Sequence, residues 1–148
     1  MSAFRQYTSV MKYDIIFYIS KKTAYCEKKL SKALSEIDGE KNRVVYATSP
    51  TELGDEVCKS LRLCQVAAII GGLSSIDNDN LATVLSRVLS NSGLTLNHMR
   101  KITASSGHAG YIIRYKNQIL LALPDSPNDV EEILSDSLIK YIAEKVKS

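Results

Sequence analysis

Apolar residues in this chain fall into two alternating patterns: short unbroken runs and one-sided stripes. The first run, Tyr13 to Ile19, is a predicted strand filled by Ile15, Ile16, Phe17 and Ile19. A stripe at steps of three and four follows (Cys26, Leu30, Ala33, Leu34, Ile37) and predicts a helix from about Ala24 to Ile37. Asp38-Gly39 ends it, with Gly39 suited to a left-handed cap. Arg43 to Ala47 reads as a second, short strand. Thr48 or Ser49 can cap the next helix, with Pro50 in its first turn and Glu52 near the capping-box position; Leu53, Val57 and Leu61 form its stripe. Val66 to Ile70 is apolar throughout, as a central parallel strand covered on both faces must be.

A third helix is predicted from Asp79 to about Ser92 on the stripe Leu81, Val84, Leu85, Val88 and Leu89, ended by Gly93. Leu94 to Ser106 is ambiguous and has room for a short helix around Asn97 to Ile102. Tyr111 to Tyr115 and Gln118 to Leu123 read as strands joined by Lys116-Asn117, a two-residue connection that marks a β-hairpin. A last helix runs from about Asn128 to Val146. The order β-α-β-α-β-α, hairpin, helix predicts a three-layer α/β/α sandwich with a mostly parallel, mixed sheet. One domain over 13–148 is expected, after a flexible tail over 1–12. Met11 also allows a shorter natural start.

Composition narrows the class without naming a function. The 148 residues are 45% hydrophobic and 24% charged, ordinary for a soluble domain. No apolar run approaches the roughly 20 residues that span a bilayer. The polar start carries no signal-peptide pattern, so a cytoplasmic protein is expected. Cys26, Cys58 and Cys64 lack C-x-x-C spacing and read as buried structural thiols rather than a disulfide or zinc set. The net charge of +3 is modest, and Lys21, Lys22, Lys28, Lys29 and Lys32 read as a solvated helix face. Without a recognised module or an aromatic stacking pattern, no nucleic-acid partner is expected.

Candidate chemistry sits in three loops. Gly71-Gly72-Leu73-Ser74-Ser75 follows the most apolar strand, and Leu123-Pro124-Asp125-Ser126-Pro127 follows the hairpin. Both lie where strands end and helices begin, a position that favours small anionic ligands. Gly71-Gly72 marks either a tight turn or a close backbone approach to a ligand. Asp79 is either a helix cap or a pocket carboxylate able to hold Mg²⁺. Ser105-Ser106-Gly107-His108-Ala109-Gly110 suggests a backbone nest or tight turn beside the hairpin. There His108 is either solvent-facing or a ligand contact, and neither it nor His98 has a partner in a plausible triad.

Together these loops resemble the molybdopterin-binding domain of the molybdenum-cofactor-biosynthesis family, nearest the N-terminal domain of competence/damage-inducible proteins. Gly71-Gly72-Leu73-Ser74-Ser75-Ile76-Asp77-Asn78-Asp79 is similar to that family's G-G-[TL]-G-P-T-x-x-D. Gly107-His108-Ala109-Gly110 is similar to its G-T-A-x-G, and Leu123-Pro124-Asp125-Ser126-Pro127 to its L-P-G-x-P. The resemblance covers about residues 13 to 146. It implies a pocket formed by Gly71, Gly72, Leu73, Ser74, Ser75, Gly107, His108, Pro124, Asp125 and Ser126, with Asp79 as catalytic or magnesium-holding carboxylate. It implies a molybdopterin or adenine-nucleotide ligand, Mg²⁺-dependent pyrophosphate-bond chemistry and a homo-oligomer.

The chain also departs from that pattern. Ser74-Ser75-Ile76 replaces G-P-T, the acidic turns after the first two strands are missing, and Asp125 stands where the family has glycine. Asp125 is expected to tolerate positive φ less well than glycine. It also places a negative charge at the mouth of an anion site, at a cost of about 1 kcal/mol at 4 Å in water and more if dry. The expectation is therefore a less anionic ligand, an intervening cation or an abandoned site. The alternative function is a non-catalytic paralogue that keeps the fold for oligomerisation or regulation; a small nucleotide-binding regulator of the same architecture is a third.

Overall fold

The computed structural model describes residues 11–72, 85–86, 99–115 and 117–146. Its elements are β1 (Lys12–Tyr18), α1 (Thr23–Ser35), β2 (Glu40–Ala47), α2 (Pro50–Leu63), β3 (Val66–Ile70), β4 (Met99–Thr103), β5 (Ala109–Tyr115), β6 (Gln118–Leu123), α3 (Pro127–Ile133) and α4 (Asp136–Val146). The strands form one six-stranded sheet in the order β2-β1-β3-β6-β5-β4. β2, β1, β3 and β6 are mutually parallel, and β5 runs antiparallel to β6 and β4.

The predicted sandwich is present because strand side chains alternate between two cores. Ile15, Phe17, Ala68, Ile70, Leu121 and Leu123 pack with α1, α3 and α4 on one face. Ile16, Tyr18, Ala67, Ile69, Leu120 and Ala122 pack with α2 and Leu85 on the other. β3 is buried along its whole length, and each such Ile or Val contributes about 1.5–3 kcal/mol of apolar burial.

Local chemistry sets several boundaries. Ser49 caps α2: its Oγ accepts the Glu52 N–H at 3.1 Å, while Glu52 Oε1 accepts the Thr48 N–H at 3.1 Å. The end of α1 departs from expectation. Asp38, not Gly39, takes the left-handed conformation (φ +60°). Gly39 is needed for space instead, because a Cβ there would lie 2.8 Å from Met11 Cε and 2.9 Å from the Leu34 carbonyl oxygen. Met11 is itself buried and Lys12 opens β1, so the last two residues of the expected tail belong to the fold.

Two further expectations are corrected. Residues 99–102 of the proposed short helix belong to strand β4, which pairs Arg100 with Ile112 and Ile102 with Gly110. As an edge strand exposed at Met99, Arg100 and Lys101, it has little apolar alternation to betray it. The single last helix is two, α3 and α4, broken at Leu134-Ser135. Ser135 accepts the Leu138 N–H at 3.3 Å and so restarts the helix. The hairpin forms as predicted, with Tyr115 paired to Gln118. The helix predicted from Asp79 lies outside the described residues except for Leu85 and Ser86.

Candidate functional site

The connections dictate where a hollow must open. The chain goes outward from β1 through α1 to β2, then returns through α2 on the opposite face to β3, on the other side of β1. Loops that leave a sheet toward opposite faces part at the carboxyl ends of the strands between them and leave a crevice there. β6 lies beside β3, and the Gly71 N–H donates to the Leu123 carbonyl at 3.0 Å, stitching the two glycine- and proline-bearing turns together.

The resulting hollow has a volume of about 580 Å³, within the range of small-molecule sites. The loop after β1 supplies Ile19 and Lys21, the loop after β3 supplies Gly72, and the loop after β6 supplies Pro124, Asp125 and Ser126. The β4–β5 turn adds Gly107 and His108, and β5 adds Ala109 and Tyr111. Six of the sequence-predicted site residues thus share one hollow, with Gly71 next to it in the chain. Leu73, Ser74, Ser75 and Asp79 lie outside the described residues.

Packing inside the chain accounts for the glycine pair. Gly71 has φ +108°, and a Cβ on it would lie 2.2 Å from the Tyr18 carbonyl oxygen. Gly72 has φ +78°, and a Cβ on it would lie 2.4 Å from the Tyr18 ring. The closely approaching group is therefore the end of β1. Gly107 (φ +96°) would meet nothing within 4 Å, so only its backbone conformation requires glycine.

The negative charge expected at the mouth, that of Asp125, has partners within the chain. Its Oδ1 accepts Ser20 Oγ–H at 2.7 Å and the Lys22 N–H at 3.2 Å, and its Oδ2 accepts the Lys21 N–H at 2.8 Å. Lys22, at the N-cap of α1, provides no side-chain cap of its own. A residue a hundred positions away thus caps α1 and supplies the negative charge that a helix start favours. Burial pushes the Asp125 pKa upward, but the bonds from Lys21, Ser20 and Lys22 more than offset this and hold the carboxyl below its usual 3.8. Its backbone is not left-handed: among described residues other than glycine, only Ile19 and Asp38 have positive φ. Ile19 (φ +51°) combines that strained conformation with a β-branched side chain exposed at the hollow's edge.

His108 has the partner that sequence reading did not find. Its Nδ1 lies 2.8 Å from Oδ2 of Asp129, in the first turn of α3. Asp129 is 4% exposed and also accepts Ser106 Oγ–H at 2.9 Å. Burial raises the Asp129 pKa, while the bonds from His108, Ser106 and Ser126 bring it below 3.8. The His108 side chain is 65% exposed. Twenty-one residues separate the pair, and only the hairpin and the turn into α3 bring them together, so spacing alone carried no signal. Lys21, Ile19 and Tyr111 were missed for the same reason.

Cys26 and Cys64 are buried and held as thiols. Burial, followed by the Asp125 carboxylate, pushes Cys26 up to about 11; burial and the bond to Asp14 push Cys64 up to about 12. Cys58 is only half-buried. Among the described residues no three His, Cys, Asp or Glu side chains are grouped to hold a metal ion, and no helix is long and apolar enough to cross a membrane.

This architecture is that of the molybdopterin-biosynthesis proteins and of CinA. The chain superposes on CinA from Thermoplasma acidophilum with a TM-score of 0.66 at 16% identity, covering 88% of this chain and 98% of that one. A molybdopterin biosynthesis protein from Mycobacterium abscessus gives 0.67 at 11% identity, covering 93% and 95%. The tungsten cofactor synthesizing protein MoaB from Pyrococcus furiosus gives 0.56 at 18% identity, covering 95% and 99%. No family model and no curated protein sequence matches the chain. At these identities the likeness establishes the fold.

Proposed function

We propose that this chain is a divergent small-ligand-binding domain of the molybdopterin-biosynthesis type, whose hollow takes a pterin or a nucleotide. The observation that carries this reading is the convergence of the turns after β3 and β6 with the β4–β5 turn on one space of about 580 Å³. That space lies at the switch point where open α/β sheets take their ligands, in a fold shared with proteins of cofactor biosynthesis. Tyr111 and Pro124 offer flat apolar contacts to a fused ring, while Ser126 and the Gly72 and Gly107 backbones offer polar ones.

The described carboxylates of this region do not fit a magnesium site. Asp125 is committed to Ser20, Lys21 and Lys22, and Asp129 to His108 and Ser106. That commitment favours the second reading, a non-catalytic paralogue that keeps the fold for oligomerisation or regulation.

Thermal-shift measurements with pterins, AMP, ATP, ADP-ribose and FAD, each with and without Mg²⁺, test the proposal. A ligand at a hundred times its dissociation constant adds about 2.7 kcal/mol, which raises the Tm of a domain this size by several degrees. A pterin or nucleotide shift is expected. No shift with any of them would remove the binding reading, and a shift that requires Mg²⁺ would restore metal-dependent chemistry.

A further inference from the structure

His108 and Lys21 are two basic side chains on the wall of the hollow, contributed by the β4–β5 turn and the β1–α1 loop. The bond to Asp129 fixes what His108 presents. A neutral imidazole bound through Nδ1–H to a carboxylate leaves a lone pair on Nε2; a protonated one turns Nε2 into a second donor. No described residue bonds to Nε2. Among the described residues the charged groups near this edge are Lys21 from the β1–α1 loop, Lys22 beside Asp125, Asp125 itself from the β6–α3 loop and Asp129 from α3, with the Tyr111 hydroxyl from β5. Glu132 of α3 is tied to Ser105 at 2.8 and 2.9 Å. Protonation of His108 adds a positive charge at this edge, and the Nε2–H becomes free to bond a guest.

We propose that His108, oriented by Asp129 and assisted by Lys21, is the residue that admits an anionic group, such as a phosphate or carboxylate, to the edge of the hollow, and that it does so when protonated. This rests on the ligand-binding reading above and specifies which ligands that hollow accepts. The neutral imidazole accepts a hydrogen bond from an N–H of an uncharged ring; the imidazolium donates to an anionic oxygen. Asp129 is a positioning residue. Asp125 plays no part in recruiting the anion, because the chain's own amides already occupy it.

The test compares pterin with pterin-6-carboxylate on the full chain by calorimetry at pH 6 and pH 7.5. Inorganic sulfate, whose charge stays constant across this range, serves as a ring-free probe, and the ionisation of the pterin ring, common to both pterins, cancels in their comparison. The carboxylate is expected to bind about tenfold more tightly at pH 6 than at 7.5, a factor that one charge-assisted bond supplies, while pterin changes little. His108→Gln, at an exposed position, should fold normally and remove the pH dependence; Lys21→Gln should weaken the carboxylate at both pH values. Imidazole ¹⁵N spectra give an independent readout. Neutral His108 is expected to carry its proton on Nδ1, that preference should be lost in Asp129→Asn, and sulfate should shift Nε2 at pH 6. Carboxylate affinity indifferent to pH and to His108→Gln would overturn the proposal while leaving ligand binding intact. Absence of binding by both pterins, with His108 signals unmoved by sulfate, would overturn both.

Discussion

Asp14 and Asp129 are the two buried carboxylates among the described residues, and they are used in opposite ways. Asp14, near the amino end of β1, accepts bonds from Ser60 Oγ (2.6 Å), Arg43 Nε (2.9 Å), Asn42 Nδ2 (3.0 Å) and Cys64 Sγ (3.3 Å). The register slips between Tyr13 and Asp14, so β2 carries one extra residue there, and Asn42 and Arg43 both reach the same carboxylate. Arg43 goes on to Glu56 at 2.9 Å and to Ser60 at 3.0 Å. The network ties β2 and α2 to β1, with its outer members Asn42 and Glu56 reaching solvent. Asp129 has hydroxyl partners too, but its imidazole partner is mostly exposed and stands on the wall of the hollow. Asp14 fixes the packing of three elements on one another; Asp129 holds one exposed imidazole in place at the hollow and governs what that imidazole can do.

Breaking the Asp14 network should have the largest effect. Asp14→Ala strips a partly buried arginine of its main partner and is expected to cost about 3–5 kcal/mol, read from urea unfolding; a cost below about 1 kcal/mol would show that the network is not an anchor. At the opposite end of the sheet, Asp125→Gly removes the cap of α1 and should cost about 0.5–2 kcal/mol. It should also strengthen binding of pterin-6-carboxylate, because three donors are released and a negative charge is lost. Weaker binding would mean that the carboxylate itself touches the ligand.

The smallest effect is the response to acid. Asp14, Asp125 and Asp129 all have pKa values below 3.8 in the folded chain, because their hydrogen bonds outweigh burial. The unfolded chain therefore binds more protons in acid. Their stabilisation is complete above the ordinary carboxylate range and is lost as pH falls through 3.8 toward the folded values. Circular dichroism melts from pH 6 to pH 2.5 should show this loss, with a shallower slope in Asp14→Asn. An unchanged slope would mean that Asp14 is not among the groups being protonated.

Legibility from sequence followed the strength of the apolar signal. β1, β3 and β6 were readable because they are buried on both faces and nearly unbroken. α2 was readable because Ser49, Pro50 and Glu52 spell out its start. β4 was not, since an exposed edge strand has no buried face to impose alternation. The break between α3 and α4 was hidden because Ile133, Leu134 and Leu138 keep a helical spacing across it. At the site, the glycine- and proline-bearing turns were legible as punctuation after strands. Their convergence was a topological expectation that the Gly71–Leu123 bond bears out. The bonds of Asp125 to the start of α1, and of Asp129 to His108, join residues distant in sequence through side chains, and no periodicity encodes such pairings.

The outer strand β4 has one more consequence. It shows bulk solvent a rim that carries Arg100 and Lys101, with the Arg100 guanidinium 5.3 Å from the Tyr141 ring centre. A second copy adding its own β4 antiparallel to this rim would set guanidinium and ammonium groups against one another, a repulsive pairing. Such a rim discourages continuation of the sheet from molecule to molecule. At this edge of the sheet, the ribbon-like stacking to which bare strands are prone is held off by two basic residues.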